Sequence, residues 1–556
     1  MQHTFSGLDR DKQLHDMEQV QYDLLIIGGG ITGAGIALDA QSRGIQTALI
    51  EMQDFAAGTS SRSTKLVHGG LRYLKQFEVA MVAEVGKERA IVYENGPHVT
   101  TPEWMVLPIY AGGTFGKFST SIGLRVYDFL AGVKKKERRR MLGVQETLSK
   151  LPILKRDGLK GAGYYVEYRT DDARLTLEVL KQAVYYGGRA VNYTKADSFI
   201  YRDNQIIGVE AIDQLTGKGY SIYAKKVINA TGPWVDTLRE KDHSKEGKTL
   251  HLTKGIHLVV DEKRLPLQHA VYFDTADGRM IFAIPRDGKT YVGTTDTDYS
   301  GDIAHPRMTD EDRDYILHAV NSMFSQVNLT ANDVESSWTG LRPLIHQEGK
   351  KPSEISRKDE TFHSASGLIT IAGGKLTGYR KMAETIVNTI VKQWSAVGYG
   401  PYPASKTKHM SISGGDVGGS EQYENYVEKK VLEGQLLGLS AADARLLVRR
   451  YGSNIDLLYK GVDIYKDEAN EYGLPLSVIL SIIYSIEFEM AVSPADFFVR
   501  RTGALYFDMP FVQRWKAAVI QYMSVKLNWT DELQQAYTNE LEQEIAAAIT
   551  PVTQLR

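Results

Sequence analysis

The sequence predicts an α/β protein in three parts: a doubly wound nucleotide-binding domain gathered from separated segments, an inserted domain of mainly antiparallel strands, and an all-helical C-terminal domain. Three observations predict it. A glycine-rich turn joins a strand to a helix near the N-terminus, two further glycine turns follow strands hundreds of residues later, and the stretch 402–556 carries only helical signals. With 556 residues the chain exceeds a single core and suits two or three domains of about 100–200 residues each.

The apolar run Tyr22-Asp23-Leu24-Leu25-Ile26-Ile27 leads into Gly28-Gly29-Gly30-Ile31-Thr32-Gly33 and then into Ala34-Gly35-Ile36-Ala37-Leu38. This is a strand, a tight turn and a helix N-terminus, the arrangement of a Rossmann-type dinucleotide site. Gly28 lets the chain reverse, Gly30 lets bare backbone approach a pyrophosphate, and Gly33 lets the helix pack on the strand. The unpaired amides at the start of this helix, around Ile31 and Thr32, would then face the phosphates. A second strand, Thr47-Ala48-Leu49-Ile50, ends in Glu51, about 20 residues beyond the turn, where the ribose-binding acid of such a unit belongs.

Further along, helical periodicity spans Glu78 to Asn95 and stops at Gly96-Pro97, and the pattern from Pro102 to Lys160 is irregular. A helix begins at Asp172 and ends near Gly187-Gly188; Gln205 to Asp213 and Lys225 to Ala230 read as strands. The second of these runs into Thr231-Gly232-Pro233-Trp234, and the strand Ile369-Thr370-Ile371-Ala372 runs into Gly373-Gly374-Lys375, with a helix over Lys381 to Gln393 after it. Three glycine turns at strand ends indicate one site built from a discontinuous domain, 20–100 with 161–250 and 340–397. Strands at Gly255 to Val260 and Arg279 to Pro285 suit the inserted domain, 101–160 with 251–339. Ser440, Ser493-Pro494 and Thr530 are helix N-terminal signals of the C-terminal domain, and Leu476 to Ile486 reads as a buried helix.

Composition narrows the chemistry. The net charge of −2 argues against nucleic acid as a partner. The absence of cysteine excludes disulfides, thiolate nucleophiles, iron–sulfur clusters and cysteine-ligated zinc. The histidines show no compact ligand spacing, so no metal is expected. Redox work falls to an organic cofactor, and three separated glycine turns suit an extended grip on FAD better than a nicotinamide. No apolar stretch of signal-peptide length precedes the first strand, which reads as a cytoplasmic chain.

The most specific stretch is Thr59-Ser60-Ser61-Arg62-Ser63-Thr64-Lys65-Leu66-Val67-His68-Gly69-Gly70-Leu71-Arg72-Tyr73. Together with Ala230-Thr231-Gly232-Pro233-Trp234, Val292-Gly293-Thr294-Thr295-Asp296, Gly340-Leu341-Arg342-Pro343-Leu344 and Gly373-Gly374-Lys375-Leu376-Thr377, it closely resembles the FAD-dependent glycerol-3-phosphate dehydrogenases. The resemblance runs from about residue 20 to the C-terminus. It implies the fold of D-amino-acid and glycine oxidases, oxidation of sn-glycerol 3-phosphate to dihydroxyacetone phosphate, and transfer of electrons to quinone at the inner face of the cell membrane. It also implies that the loop at Thr59, Ser60, Ser61, Ser63, Lys65 and Leu66 lies along FAD, joined by Gly232, Gly373, Gly374, Lys375, Leu376 and Thr377.

Chemistry alone makes sense of the same residues. A phosphate dianion calls for guanidinium forks and point charges, for which Arg72, Arg342, Arg357 and Lys375 are candidates, with Tyr73 beside them. Ion pairing is the ordinary fate of an arginine; motif position favours Arg72, Arg342 and Lys375 over it and leaves Arg357 open. Tyr272 and Thr377 suit packing better. His68, His257 and Lys375 are candidates for accepting the hydroxyl proton, in no fixed order, although for His68, before Gly-Gly, satisfying a backbone carbonyl is the more ordinary role. Lys375 would have to be neutral to serve.

Ile122 to Val133, an apolar-rich segment, runs into the basic run Lys134 to Arg140, a combination suited to anionic lipid. Phe497, Phe498, Arg500 and Arg501 form a second candidate for membrane contact. Rival readings are an oxidase that releases peroxide, an amine or amino-acid oxidase, and a flavin-binding scaffold whose helical domain recruits partners. A homodimer built through that domain is one arrangement it allows.

Overall fold

The protein is described by a computed structural model covering residues 5–68, 79–113, 137–347 and 359–552, apart from the side chains of 79–82 and 347. Its frame is two sheets. The first has eight strands, and its central path runs 360–363, 369–372, 219–229, 21–27, 47–50, 189–191. Strand Gln21–Ile27 lies at its centre, parallel to both neighbours, with Ile26 opposite Ile228 on one side and Leu49 on the other. Both of its faces are covered, which is why Leu24, Leu25 and Ile26 form a continuous apolar run. Helix Ile31–Ser42 packs on this strand and is flanked by helices Asp172–Tyr185 and Tyr379–Ala396 in one layer.

Gly33 shows how tightly helix and turn fit. A Cβ there would lie 1.9 Å from the Gly28 carbonyl oxygen, so no other residue allows this approach.

The second sheet has ten strands, mainly antiparallel, ordered 297–298, 248–261, 289–293, 280–286, 270–274, 100–110, 159–170, 66–67, with 334–347 also paired to 248–261 and 140–142 to 159–170. Two long strands fall on the other side of the expected boundaries. Leu159–Thr170 and Val334–Gln347 belong to this sheet, whereas 161–250 and 340–397 were expected in the nucleotide domain. Leu159–Thr170 is buried along nearly its whole length, so it lacks the alternation that marks a strand with one wet face. Thr100–Tyr110, expected to be irregular, is a strand that contains Pro102 and Pro108. Its second neighbour reaches it only at Met105 and Val106, so neither proline removes a needed hydrogen bond there.

The C-terminal helices begin where the caps predict. Ser440 accepts from the Asp443 amide and Thr530 from the Leu533 amide, opening Ala441–Tyr451 and Asp531–Ile549. Leu476–Glu489 is buried as expected and packs with Phe497, Phe498 and Val512 in a core shared with Tyr291 and Trp338 of the second sheet. This overturns the second candidate for membrane contact. Phe498 and Arg501 are fully buried, and Phe497 and Arg500 nearly so, the arginines facing carboxylates. The first candidate, Ile122 to Arg140, lies outside the described residues up to residue 136. Among the described residues no single helix is long and apolar enough to cross a membrane; the pair Val462–Glu471 and Leu476–Glu489 passes only when its bent halves are joined.

Candidate functional site

A cavity of about 600 Å³ opens at the carboxyl ends of the central parallel strands, where a doubly wound sheet binds its ligand. The glycine turn contributes Gly28, Gly30, Ile31 and Thr32 to its wall. Helix Ile31–Ser42 starts at Gly30, which has no side chain to cap it, and with Gly30, Ile31 and Thr32 on the wall its amide end suits an anion, although Ser60 already takes the Ile31 amide. Glu51 also lines it, its Oε2 accepting from the Gly29 amide at 2.7 Å and its Oε1 from the Gln53 amide at 2.8 Å. Burial nonetheless pushes the Glu51 carboxyl up from its usual range. Each oxygen keeps a lone pair for a hydroxyl donor.

The segment after Gly58 is pinned on both sides. Ser60 Oγ accepts from the Ile31 amide at 2.9 Å, and Thr59 Oγ1 donates to the Leu341 carbonyl at 2.8 Å. Ser63 and Leu66 reach the wall, but Ser63 Oγ donates to Asp172 at 2.7 Å. Three residues expected to bind cofactor are not on the wall. Lys65 is buried against Asp172 at 2.6 Å and donates to the Ser61 carbonyl, Ser61 lies beneath it, and Gly33 serves helix packing. A lysine at 4% exposure with a carboxylate partner is a brace for the loop.

Gly232, Gly373, Gly374, Lys375, Leu376 and Thr377 line the cavity from the far strand ends. Thr377 ties that turn to the serine-rich segment: its hydroxyl donates to the His68 carbonyl and accepts from the His68 amide, both at 3.1 Å. Tyr272 is packed on Phe282, ring centroids 4.1 Å apart.

His68, His257, Arg342 and Lys375 share this wall. Burial drives the His68 imidazole below its usual range, helped by the Lys375 charge. His257 is stacked on Trp338 at 4.8 Å, its Nε2 lies 3.1 Å from Thr64 Oγ1, and burial beside Arg342 and Lys65 pushes it well below that range. Both rings are neutral at pH 7 and able to accept a proton. Arg342 donates to the Thr295 carbonyl and Thr294 Oγ1 at 3.2 Å and approaches Asp296 at 3.3 Å. The guanidinium rests over Gly255, where a Cβ would come within 2.8 Å of Nη2. Arg72, Tyr73 and Arg357 lie outside the described residues. The described residues hold no group of three or more metal-ligating side chains.

Sequence reasoning missed Arg62 and Gly255, both on the wall. Arg62 donates to the Ala304 carbonyl at 3.0 Å, and its own carbonyl oxygen would lie 2.1 Å from a Cβ on Gly340. The signal was present only as an arginine inside the serine-rich motif, since the docking of Arg62 on strand 334–347 is invisible in spacing.

Comparisons with known proteins point the same way. Residues 23–380 match a family model described as FAD dependent oxidoreductase, and 405–534 match the C-terminal domain of alpha-glycerophosphate oxidase. An aerobic glycerol-3-phosphate dehydrogenase of Bacillus subtilis is 63% identical over 554 residues, covering 100% of both chains. The crystal structure of a glycerol-3-phosphate dehydrogenase from Bacillus halodurans complexed with FAD is 52% identical and superposes with a TM-score of 0.86 over 99% of this chain and 100% of that one. Glycine oxidase from Bacillus cereus, at 21% identity and a TM-score of 0.51 over 67% of this chain and 98% of that one, shares the fold.

Proposed function

Starting from the chain's membership in the family of aerobic glycerol-3-phosphate dehydrogenases, FAD-dependent oxidoreductases that oxidise glycerol 3-phosphate, we propose how its residues divide that work and that its electrons pass on to quinone. The observation that carries the reading is that the glycine turn, Glu51, two neutral imidazoles, Arg342 and Lys375 all line one cavity.

The cavity suits FAD: the first turn of helix Ile31–Ser42 lines it, and a buried carboxylate already fixed by two amides is able to accept ribose hydroxyls. Bound there, FAD supplies the acceptor for the hydride that leaves C2 of glycerol 3-phosphate. Arg342 and Lys375 hold the phosphate and the oxygen on C2, with Arg72, Tyr73 and Arg357 proposed beside them. Positive charge at that oxygen lowers the alcohol's pKa, and His68 or His257 takes its proton. The rings, the strand ends and the serine-rich segment place these groups, so the protein's contribution is position and charge.

Quinone is lipid-soluble, and we place the enzyme in the cytoplasm against the inner face of the membrane, with Ile122 to Arg140 as its contact. The test is the yellow spectrum of the holoprotein without oxygen. Glycerol 3-phosphate bleaches it and a quinone analogue restores it; a spectrum that glycerol 3-phosphate leaves unchanged refutes the reading. An oxidase is the second reading, favoured by the match of 405–534 to a domain of alpha-glycerophosphate oxidase. Stoichiometric peroxide in air, with no response to the quinone analogue, would establish it.

A further inference from the structure

The loop after Glu51 has two sides. Glu51, Met52, Ala57 and Gly58 face the cavity. Between them Asp54 turns away, is 1% exposed, and meets the C-terminal domain. Arg501 grips it with two parallel hydrogen bonds, Nη1 to Oδ2 at 2.6 Å and Nη2 to Oδ1 at 2.8 Å, while Arg500 Nε donates to the same Oδ2. Asn192 Nδ2 adds a fourth hydrogen bond, to Oδ1 at 3.0 Å.

The grip is anchored behind. Arg501 Nη2 also donates to the Glu489 carbonyl at 2.7 Å, and Arg500 Nη2 to Asp496 Oδ1 at 2.7 Å. Glu489 in turn receives Arg174 at 2.7 Å and Lys181 at 3.1 Å, both on the helix that covers the nucleotide sheet. Adjacent residues of an ordinary α-helix point about 100° apart. Asp496–Arg501 is a π-helical turn, wider than an α-turn, and it brings two consecutive arginines onto one carboxylate. Arg501 itself is fully buried. Desolvating this many charges is costly, and a well-packed apolar contact would hold two domains together as well. Directional bidentate bonds add a fixed geometry that apolar packing does not.

We propose that Arg501, supported by Arg500, is a positioning residue for FAD: the C-terminal domain holds loop 51–58 in its cofactor-binding shape through Asp54. The proposal rests on the FAD reading above. Its consequence is that retention of FAD depends on a side chain far in sequence from the glycine turn and absent from the cavity wall.

The test compares FAD release from the purified holoenzyme, followed by the rise in flavin fluorescence after dilution, for the parent, Arg501→Met, Arg501→Lys, Asp54→Asn and Arg43→Met. Arg43 forms a buried ion pair with Asp39 on the glycine-turn helix, away from the loop, and controls for lost buried charge. Expected are release at least tenfold faster in Arg501→Met and Asp54→Asn, an intermediate rate in Arg501→Lys, and the parental rate in Arg43→Met despite a lowered Tm. With FAD in excess, KM for glycerol 3-phosphate stays within about twofold of the parent in all. Parental release in Asp54→Asn and Arg501→Lys overturns the proposal, whether or not Arg501→Met folds; so does release that rises equally in Arg43→Met. A parent protein that carries no FAD would instead refute the cofactor reading before any variant is made.

Discussion

Arg342 and Arg501 each sit near carboxylates and are held in opposite ways. Arg342 is about one-third exposed at its side chain and opens on the cavity, with contacts of 3.2 Å to a carbonyl and a hydroxyl and 3.3 Å to Asp296 among those it makes. Arg501 is sealed from water and bound in a fork at 2.6 and 2.8 Å. A guanidinium that opens on the cavity can give a phosphate shorter, charge-assisted bonds than its 3.2 Å contacts to a carbonyl and a hydroxyl. A fork sealed from water is out of a ligand's reach. The same side chain therefore serves recognition where it opens on a cavity and architecture where it is sealed from water, and variants on each side separate the two.

The largest effect is expected on the open side. Arg342→Ala removes a cation that a bound phosphate dianion has no means of replacing, and kcat/KM for glycerol 3-phosphate should fall about 10²–10³-fold. FAD stays bound, because Arg342 touches the wall beyond the glycine turn. Steady-state kinetics beside the flavin spectrum checks both halves, and a variant with near-parental kcat/KM would place the phosphate elsewhere.

On the closed side, Asp172→Asn removes the negative charge opposite buried Lys65 and leaves one acceptor oxygen where two served Lys65 and Ser63. Loss of one partner of such a pair costs roughly 3–5 kcal/mol. The expected outcome is a marked fall in Tm, with kcat/KM lowered about tenfold as the segment 59–66 loosens. The contrast with Arg342→Ala is diagnostic, since that variant should barely move Tm. Equal Tm losses in the two would erase the distinction drawn between them.

Much of this contrast could not be read from the sequence. The glycine turn, Glu51 and the strand-end glycines declared themselves because local chemistry demands those residues at those spacings. Ser440 and Thr530 were equally plain, since a cap acts on amides only three residues away. Lys65 was misjudged because its partner, Asp172, is 107 residues distant, and a motif does not say which way a side chain turns. Arg500 and Arg501 failed for the same reason. Two phenylalanines followed by two arginines suit a membrane surface on composition alone, and only the fold brings Asp54, 447 residues before Arg501, against them. Leu159–Thr170 was assigned to the wrong domain because complete burial erases the alternation by which a strand is recognised.

A pH profile sharpens the open side with a smaller effect. Burial and neighbouring cations hold His68 and His257 below the usual imidazole range. If either accepts the hydroxyl proton, kcat/KM stays level from pH 8 down to about 6.5 and falls only below that, where an unperturbed imidazole would already be half protonated. An acid limb centred above 6.5 would assign the proton to another group.

The smallest expected effect lies beside the closed cluster, at Glu540 on the last helix. Burial, reinforced by the Asp496 charge, pushes its carboxyl up to about 7, while Arg500 pulls the other way. In the unfolded chain the same group titrates near 4.5, the usual value. Between these two values the native state holds a proton that the unfolded state has released, so stability falls as pH rises from about 4.5 to 7 and is level beyond. Glu540→Gln cannot ionise and escapes that decline. Its Tm should match the parent at pH 5 and exceed it at pH 8 by on the order of 2 °C, read from thermal scans at the two pH values. A parent that is instead more stable at pH 8 would mean that Arg500 pairs with Glu540 as an ion, and that the cluster around Asp54 is open on this side.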